Sequence, residues 1–157
     1  ISAELFMMMT GVKMVHVVYK GGGPAMIELV GGQIDLMIET APSAIPYVNS
    51  GKLKALGVTT LQRLAMLPNV PTIDEAGVKG YEFLSWMGLV APAGVPKEII
   101  QRLNAEVQTA ISGDLRKRLT ELGLGVAGGT PEQFAAYIRE DSAKYAKLVK
   151  VANIKPQ

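Results

Sequence analysis

The residues best placed to do chemistry in this sequence are small ones at two breaks in the chain. Tyr19-Lys20-Gly21-Gly22-Gly23 follows a β-branched run, and Glu39-Thr40-Ala41-Pro42-Ser43 follows an apolar one. Each reads as the end of a strand meeting the start of a helix, the kind of junction where ligands gather in an open parallel sheet. The first amides of a helix lack intrahelical acceptors, and the helix dipole favours an anion there. The dipole offers ~0.3–1 kcal/mol, whereas each hydrogen bond to a charged oxygen adds ~1.5–3 kcal/mol, so the donors decide. Glycines let the backbone approach closely, and Thr40 and Ser43 add hydroxyls. No arginine precedes Arg63, so neither junction has a guanidinium fork, and backbone amides, hydroxyls and bridging water must hold an anion. The candidate ligand-binding residues are Tyr19, Lys20, Gly21, Gly22, Gly23, Thr40 and Ser43.

Each of these has a plainer reading. A glycine triplet before a proline is commonly an ordinary turn, Tyr19 can be a core aromatic and Lys20 a solvated charge. Glu39 is awkward beside an anion and reads as a cap or a water-bridged group. Asp35 reads as structural. His16, the only histidine, reads as a satisfied structural side chain. Met7-Met8-Met9 invites a copper site, but consecutive helical residues point apart, and core packing is the better reading. Trp86 lines a cleft or packs beneath the segment joining two lobes, and packing is preferred. With no cysteine, no Gly-x-Ser-x-Gly, no His-Glu-x-x-His, no P-loop and no Gly-x-Gly-x-x-Gly, the pattern offers no catalytic residues, no metal site and no cofactor.

The elements that would position these residues can be read from periodicity. Residues 14–19, 34–39 and 53–59 form strands, separated by short helices that begin at Pro24 and near Thr40 and stop at Gly31-Gly32 and Gly51. Such alternation implies a parallel sheet covered on both faces. Residues 61–80 are irregular around a short helix at 73–76, and residues 81–90 are extended. A helix then starts near Lys97, with Ile99, Ile100, Leu103, Val107, Ala110 and Ile111 on one face, and another spans residues 114 to about 122. The last is signalled by Thr130, Pro131 and Gln133, a capping box with proline in the first position. Its stripe is Phe134, Ile138, Tyr145, Leu148, Val149 and Ala152.

In its 157 residues, 48% apolar, the chain has enough hydrophobic material for one core, and its 16 basic and 14 acidic residues form no dense basic stripe; nucleic acid is a poor partner. No apolar run is long enough to cross a bilayer. Ile1 to Phe6 already reads as a helix in progress without a cap, which suggests that the chain starts inside a larger protein.

Three stretches together resemble the substrate-binding proteins of the tripartite tricarboxylate transporter, or Bug, family: Val15-His16-Val17-Val18-Tyr19-Lys20-Gly21 through Pro24-Ala25, Gly31-Gly32-Gln33-Ile34-Asp35-Leu36-Met37, and Trp86-Met87-Gly88-Leu89-Val90-Ala91-Pro92-Ala93-Gly94. Gly51 to Thr59, Leu67 to Thr72 and Gly128 to Phe134 extend the likeness over nearly the whole chain. Val18 departs from it, standing where the family usually has proline. The resemblance implies an α/β fold of the periplasmic-binding-protein type II, or Venus-flytrap, kind, of which this chain is the C-terminal half. Residues 1–83 would be a parallel-sheet ligand-binding lobe, 84–92 a hinge-crossing strand, and 93–157 helices that pack on the other lobe. It further implies a periplasmic protein that captures a dicarboxylate, tricarboxylate or aromatic carboxylate for the membrane subunits of a transporter. The rival reading is a cytoplasmic effector-sensing domain of a transcription regulator; a hydrolase or dehydrogenase fragment is more distant. A chain truly limited to these residues would be expected to form a homodimer or swap segments.

Overall fold

A computed structural model describes residues 1–151 and contains α1 (Ser2–Thr10), α2 (Gly22–Val30), α3 (Ala41–Asn49), α4 (Lys97–Ser112), α5 (Asp114–Glu121) and α6 (Pro131–Val151). It divides into two compact units, Ile1–Ser85 and the residues from Trp86 onward. The sequence expectation put the end of the first lobe at residue 83.

In the first unit, α1 ends on Gly11, whose φ of 73° is the left-handed cap that glycine adopts without strain. Helix α2 begins at Gly22, two residues before the expected start at Pro24, with Gly21 at φ 105° ahead of it. Proline fits any position in the first turn, where its missing amide costs nothing, so its presence alone does not fix which turn residue comes first. Helix α3 runs as expected, with Pro42 in its first turn. Ala25, Met26 and Ile45 are buried and anchor α2 and α3.

Among the described residues, the strand pairing of the expected parallel sheet is confined to one parallel bridge, Val58 with Thr72, made by Val58 N–H donating to Pro71 O and Ile73 N–H to Val58 O, both at 3.0 Å. Residues 12–19, 34–39 and 53–57 have no ladder bonds to one another. β-Branched side chains extend the local backbone, but a ladder also needs a second strand alongside, and that requirement is not written in any one segment. The helix expected at 73–76 is a turn.

That turn is nonetheless well tied. Thr72, fully buried, accepts from the Glu75 amide at 2.9 Å, while Glu75 Oε2 accepts from the Thr72 amide at 2.9 Å and from Arg63 Nε at 2.8 Å. Tyr81, also fully buried, donates to the Ser2 carbonyl at 3.1 Å and pairs with the Ser2 hydroxyl at 2.8 Å. Burial pushes its phenol pKa up, against a smaller lowering by Ser2.

The second unit is helical, as expected. Thr130 N–H donates to Gln133 Oε1 at 2.8 Å and Gln133 N–H to Thr130 Oγ1 at 3.2 Å, completing the capping box of α6. Asn104 and Gln108 of α4 both donate to the Gly129 carbonyl, at 2.9 and 2.8 Å, and so fasten α4 to the entry of α6. Trp86 packs edge-on against Phe134 and Tyr137, with its indole N–H on Asp141 at 2.8 Å. Leu148 is the buried residue of the α6 stripe, whereas Ile99 and Leu103 of the α4 stripe are about half exposed. Ala152 lies outside the described residues.

Thr72→Val keeps the buried volume but strips the oxygen from the Glu75 amide. Urea unfolding should show a loss of about 1 kcal/mol, and an unchanged midpoint would contradict the role given to this hydroxyl. The carboxylates in the same turn give a pH signature. Backbone bonding from Thr72, then Arg63, lowers the Glu75 pKa; the Gly80 amide, then Lys79, lowers that of Asp74. Their contribution is therefore fully present above the ordinary values of 4.5 and 3.8 and is lost as pH falls through the lowered folded-state values. Glu75→Gln should flatten the acid limb of stability against pH, measured by denaturant midpoints in that range.

Candidate ligand-binding site

The starts of α2 and α3 open onto one cavity of about 420 Å³, lined by Gly22, Gly23, Met26, Glu39, Ser43 and Tyr47. That is the size range of small-molecule sites. Its lining follows from helix geometry: Gly22 with Met26, and Ser43 with Tyr47, are four residues apart and so share a face. The backbone amides of Gly22 and Gly23 lie in the first turn, without intrahelical acceptors, and no side chain caps them. Gly23 has open space where a side chain would begin.

Glu39 sits between the two helix starts. Its Oε1 accepts from the Thr40 amide at 2.7 Å and from the Thr40 hydroxyl at 3.0 Å. Because the single Thr40 hydroxyl proton goes to Glu39, Ser43 is the donor in the 3.1 Å contact between Ser43 Oγ and Thr40 Oγ1. Both hydroxyls thus point their protons along a short chain that ends on Glu39. The other oxygen, Oε2, approaches Gly22 so closely that a Cβ there would stand 2.6 Å from it. A side chain at Gly22 would push the Glu39 carboxylate out of this position.

Of the residues singled out from the sequence, Gly22, Gly23 and Ser43 line the cavity. Thr40 stands behind it through Glu39. Gly21 supplies the turn into α2. Tyr19 is half-buried and Lys20 exposed, and neither lines the cavity. The sequence reasoning missed Met26 and Tyr47, which the four-residue spacing from Gly22 and Ser43 would have found. It took Glu39 for a cap or water-bridged group; the residue does receive the Thr40 amide, but it also forms part of the wall. Two other readings change. His16 is exposed, and so are Met8 and Met9; only Met7 is half-buried, its sulfur accepting from the Met14 amide at 3.2 Å. No group of three potential metal ligands occurs among the described residues.

Known proteins give this geometry a context. The family model described as "Tripartite tricarboxylate transporter family receptor" matches residues 1–154. A protein from the tcbD–tcbE intergenic region of Pseudomonas sp. strain P51 is 39% identical over 151 residues, which cover 95% of this chain and 45% of that one. Among solved structures, R. palustris Rpa4515 with adipate superposes with a TM-score of 0.93 at 38% identity, over 99% of this chain and 52% of that one. MatC (Rpa3494) from Rhodopseudomonas palustris with bound malate gives 0.81 at 36% identity, over 94% of this chain and 52% of that one. The chain thus spans about half the length of these proteins. The match over nearly every residue, together with the superposition, shows that the chain has the fold of the type II periplasmic binding proteins and belongs to the tripartite tricarboxylate transporter receptor family.

Proposed function

We propose that the protein containing this chain captures a small carboxylate outside the cytoplasm and presents it to the membrane subunits of a tripartite tricarboxylate-type transporter. The observation that carries this reading is the convergence of two helix starts on one cavity, with the Gly22 and Gly23 amides free to receive an anion. The ligands of the similar proteins, adipate and malate, are both small carboxylates, and a receptor that hands its cargo to a transporter has to meet that cargo outside the membrane. No helix among the described residues is long and apolar enough to cross a membrane.

In this reading the first unit is the ligand-binding lobe, and the helices from Lys97 onward pack on the other lobe of a two-lobed receptor. Apolar side chains left open to solvent support it: Val15, Met87, Leu89 and Val90 are each more than three-quarters exposed, an arrangement that a longer receptor would cover. The same surfaces would drive a chain limited to these residues into a homodimer. Binding is the activity, and catalysis has no residues assigned to it.

Calorimetry of the native protein that contains this chain, against a panel of dicarboxylates, tricarboxylates and aromatic carboxylates, should find at least one member that binds with a clear heat. Gly23→Pro removes a single amide in the first turn of α2, where a side chain has open space and a missing amide costs no intrahelical bond. It should weaken that ligand by about tenfold or more while leaving the circular-dichroism spectrum intact. Unchanged affinity would move the site away from α2, and a silent panel would remove the carboxylate reading.

A further inference from the structure

Glu39 is an odd group to find at the mouth of a site built for anions. Its carboxylate lies where the α2 amides open, and it is held there by the Thr40 amide and hydroxyl, with Ser43 behind them. Those donors all serve Oε1. Oε2 accepts from no described residue and stands against Gly22, in the cavity wall. A carboxylate oxygen accepts and does not donate. Any ligand seated on the Gly22 and Gly23 amides therefore presents its neighbouring atoms to a second, negatively charged acceptor.

Two ligand classes fare differently there. A ligand whose atoms near Glu39 end in another ionised carboxylate, or in bare methylenes, meets either a like charge or an acceptor it cannot satisfy. A ligand with a hydroxyl or ammonium group beside its amide-bound carboxylate donates to Oε2 and completes the network. Sites built to hydrogen-bond one ligand group discriminate strongly against analogues that lack it, because the protein's own polar group is then left without its partner.

The geometry points to Glu39 as a specificity-determining residue that selects carboxylates bearing a hydroxyl or ammonium donor next to the bound carboxylate. This rests on the ligand site proposed above and narrows its substrate class. Glu39 is kept from simply swinging clear by its Oε1, which is gripped by the Thr40 amide and hydroxyl at 2.7 and 3.0 Å. Thr40 and Ser43 act through it as positioning residues.

The test is calorimetry of the native protein with succinate, malate, aspartate and adipate, repeated on Glu39→Gln, Glu39→Ala and Gly23→Pro, the last removing an amide where a side chain has open space. Malate or aspartate is expected to bind at least about tenfold more tightly than succinate and adipate. In Glu39→Gln that preference should fall to about threefold or less, chiefly through a gain for succinate, since an amide can donate to a carboxylate; Glu39→Ala should lose it as well. Equal affinity of the unmodified protein for all four probes would overturn the proposal. So would a preference that both Glu39 variants leave unchanged while Gly23→Pro still weakens binding, a result that keeps the site and removes only the selection. If no probe binds, or if Gly23→Pro has no effect on a probe that does, the site itself is misplaced and the proposal falls with it.

Discussion

Two helices that start beside the same cavity leave amides that their own turns cannot satisfy, and most of the first unit is arranged around that constraint. At α3 the Thr40 amide is answered from within the chain, by Glu39 at 2.7 Å. At α2 the Gly22 and Gly23 amides have no side-chain cap. With no arginine before Arg63, position rather than charge must make the site attractive to an anion. Among the described lining residues the formal charge is negative, from Glu39, so in the proposed site the wall would distinguish between parts of a ligand rather than draw in any anion. Gly22 makes this possible by having no side chain, which lets the carboxylate of one junction reach the helix start of the other.

Packing behind the cavity sets the angle at which those helix starts face it. Ala25 and Met26 bury one side of α2 and Ile45 one side of α3, and the lining residues then follow by helical spacing, Met26 one turn beyond Gly22 and Tyr47 one turn beyond Ser43. Met26 does both jobs, buried yet in the cavity wall. Elsewhere in the unit, Val58, Thr72 and Tyr81 provide the buried points that tie the irregular region 61–80 to the bridge at Val58 and to α1 through Ser2. The Val58–Thr72 bridge joins residues near in sequence, whereas the Tyr81–Ser2 bond spans most of the unit, and each closes a polar group that would otherwise be costly to bury.

Much of this was legible in the sequence because helix ends are written in local chemistry. Thr130, Pro131 and Gln133 announced α6, Lys97 after Pro96 announced α4, and Gly31-Gly32 and Gly51 stopped α2 and α3. The start of α2 was misplaced by two residues because glycine has poor helix propensity and a proline makes a persuasive first position; in the folded chain the unfavourable glycines are part of the helix and of the cavity. Strand pairing was harder to read. Residues 14–19 and 34–39 carry the side chains of strands, yet pairing belongs to two segments at once, and no residue records its neighbour. Glu39 was visible as an acid beside a hydroxyl, but its reach to Gly22 joins residues 17 positions apart and depends on two helices meeting. The family, by contrast, was legible from short motifs in a fixed order, because that order survives substitutions that blur any one element.

The extended segments also bear on how strongly the site can bind. Val17 and Val18 are neighbours pointing to opposite sides, and both are at least half exposed, as are Leu56 and Met87; apolar residues on two faces are the signature of strands meant to be covered on both. Amide donors open to water exchange one hydrogen bond for another and gain little, whereas the same donors in an enclosed, low-dielectric site hold an anion far more strongly. The donors of this chain lie in its first unit, and the solved receptors with adipate and malate are about twice the length that it covers. In the proposed site, recognition and enclosure are therefore separable contributions: the helix starts and Glu39 would decide which groups a ligand must offer, and the covering of the surrounding surfaces would decide how much each of those groups is worth.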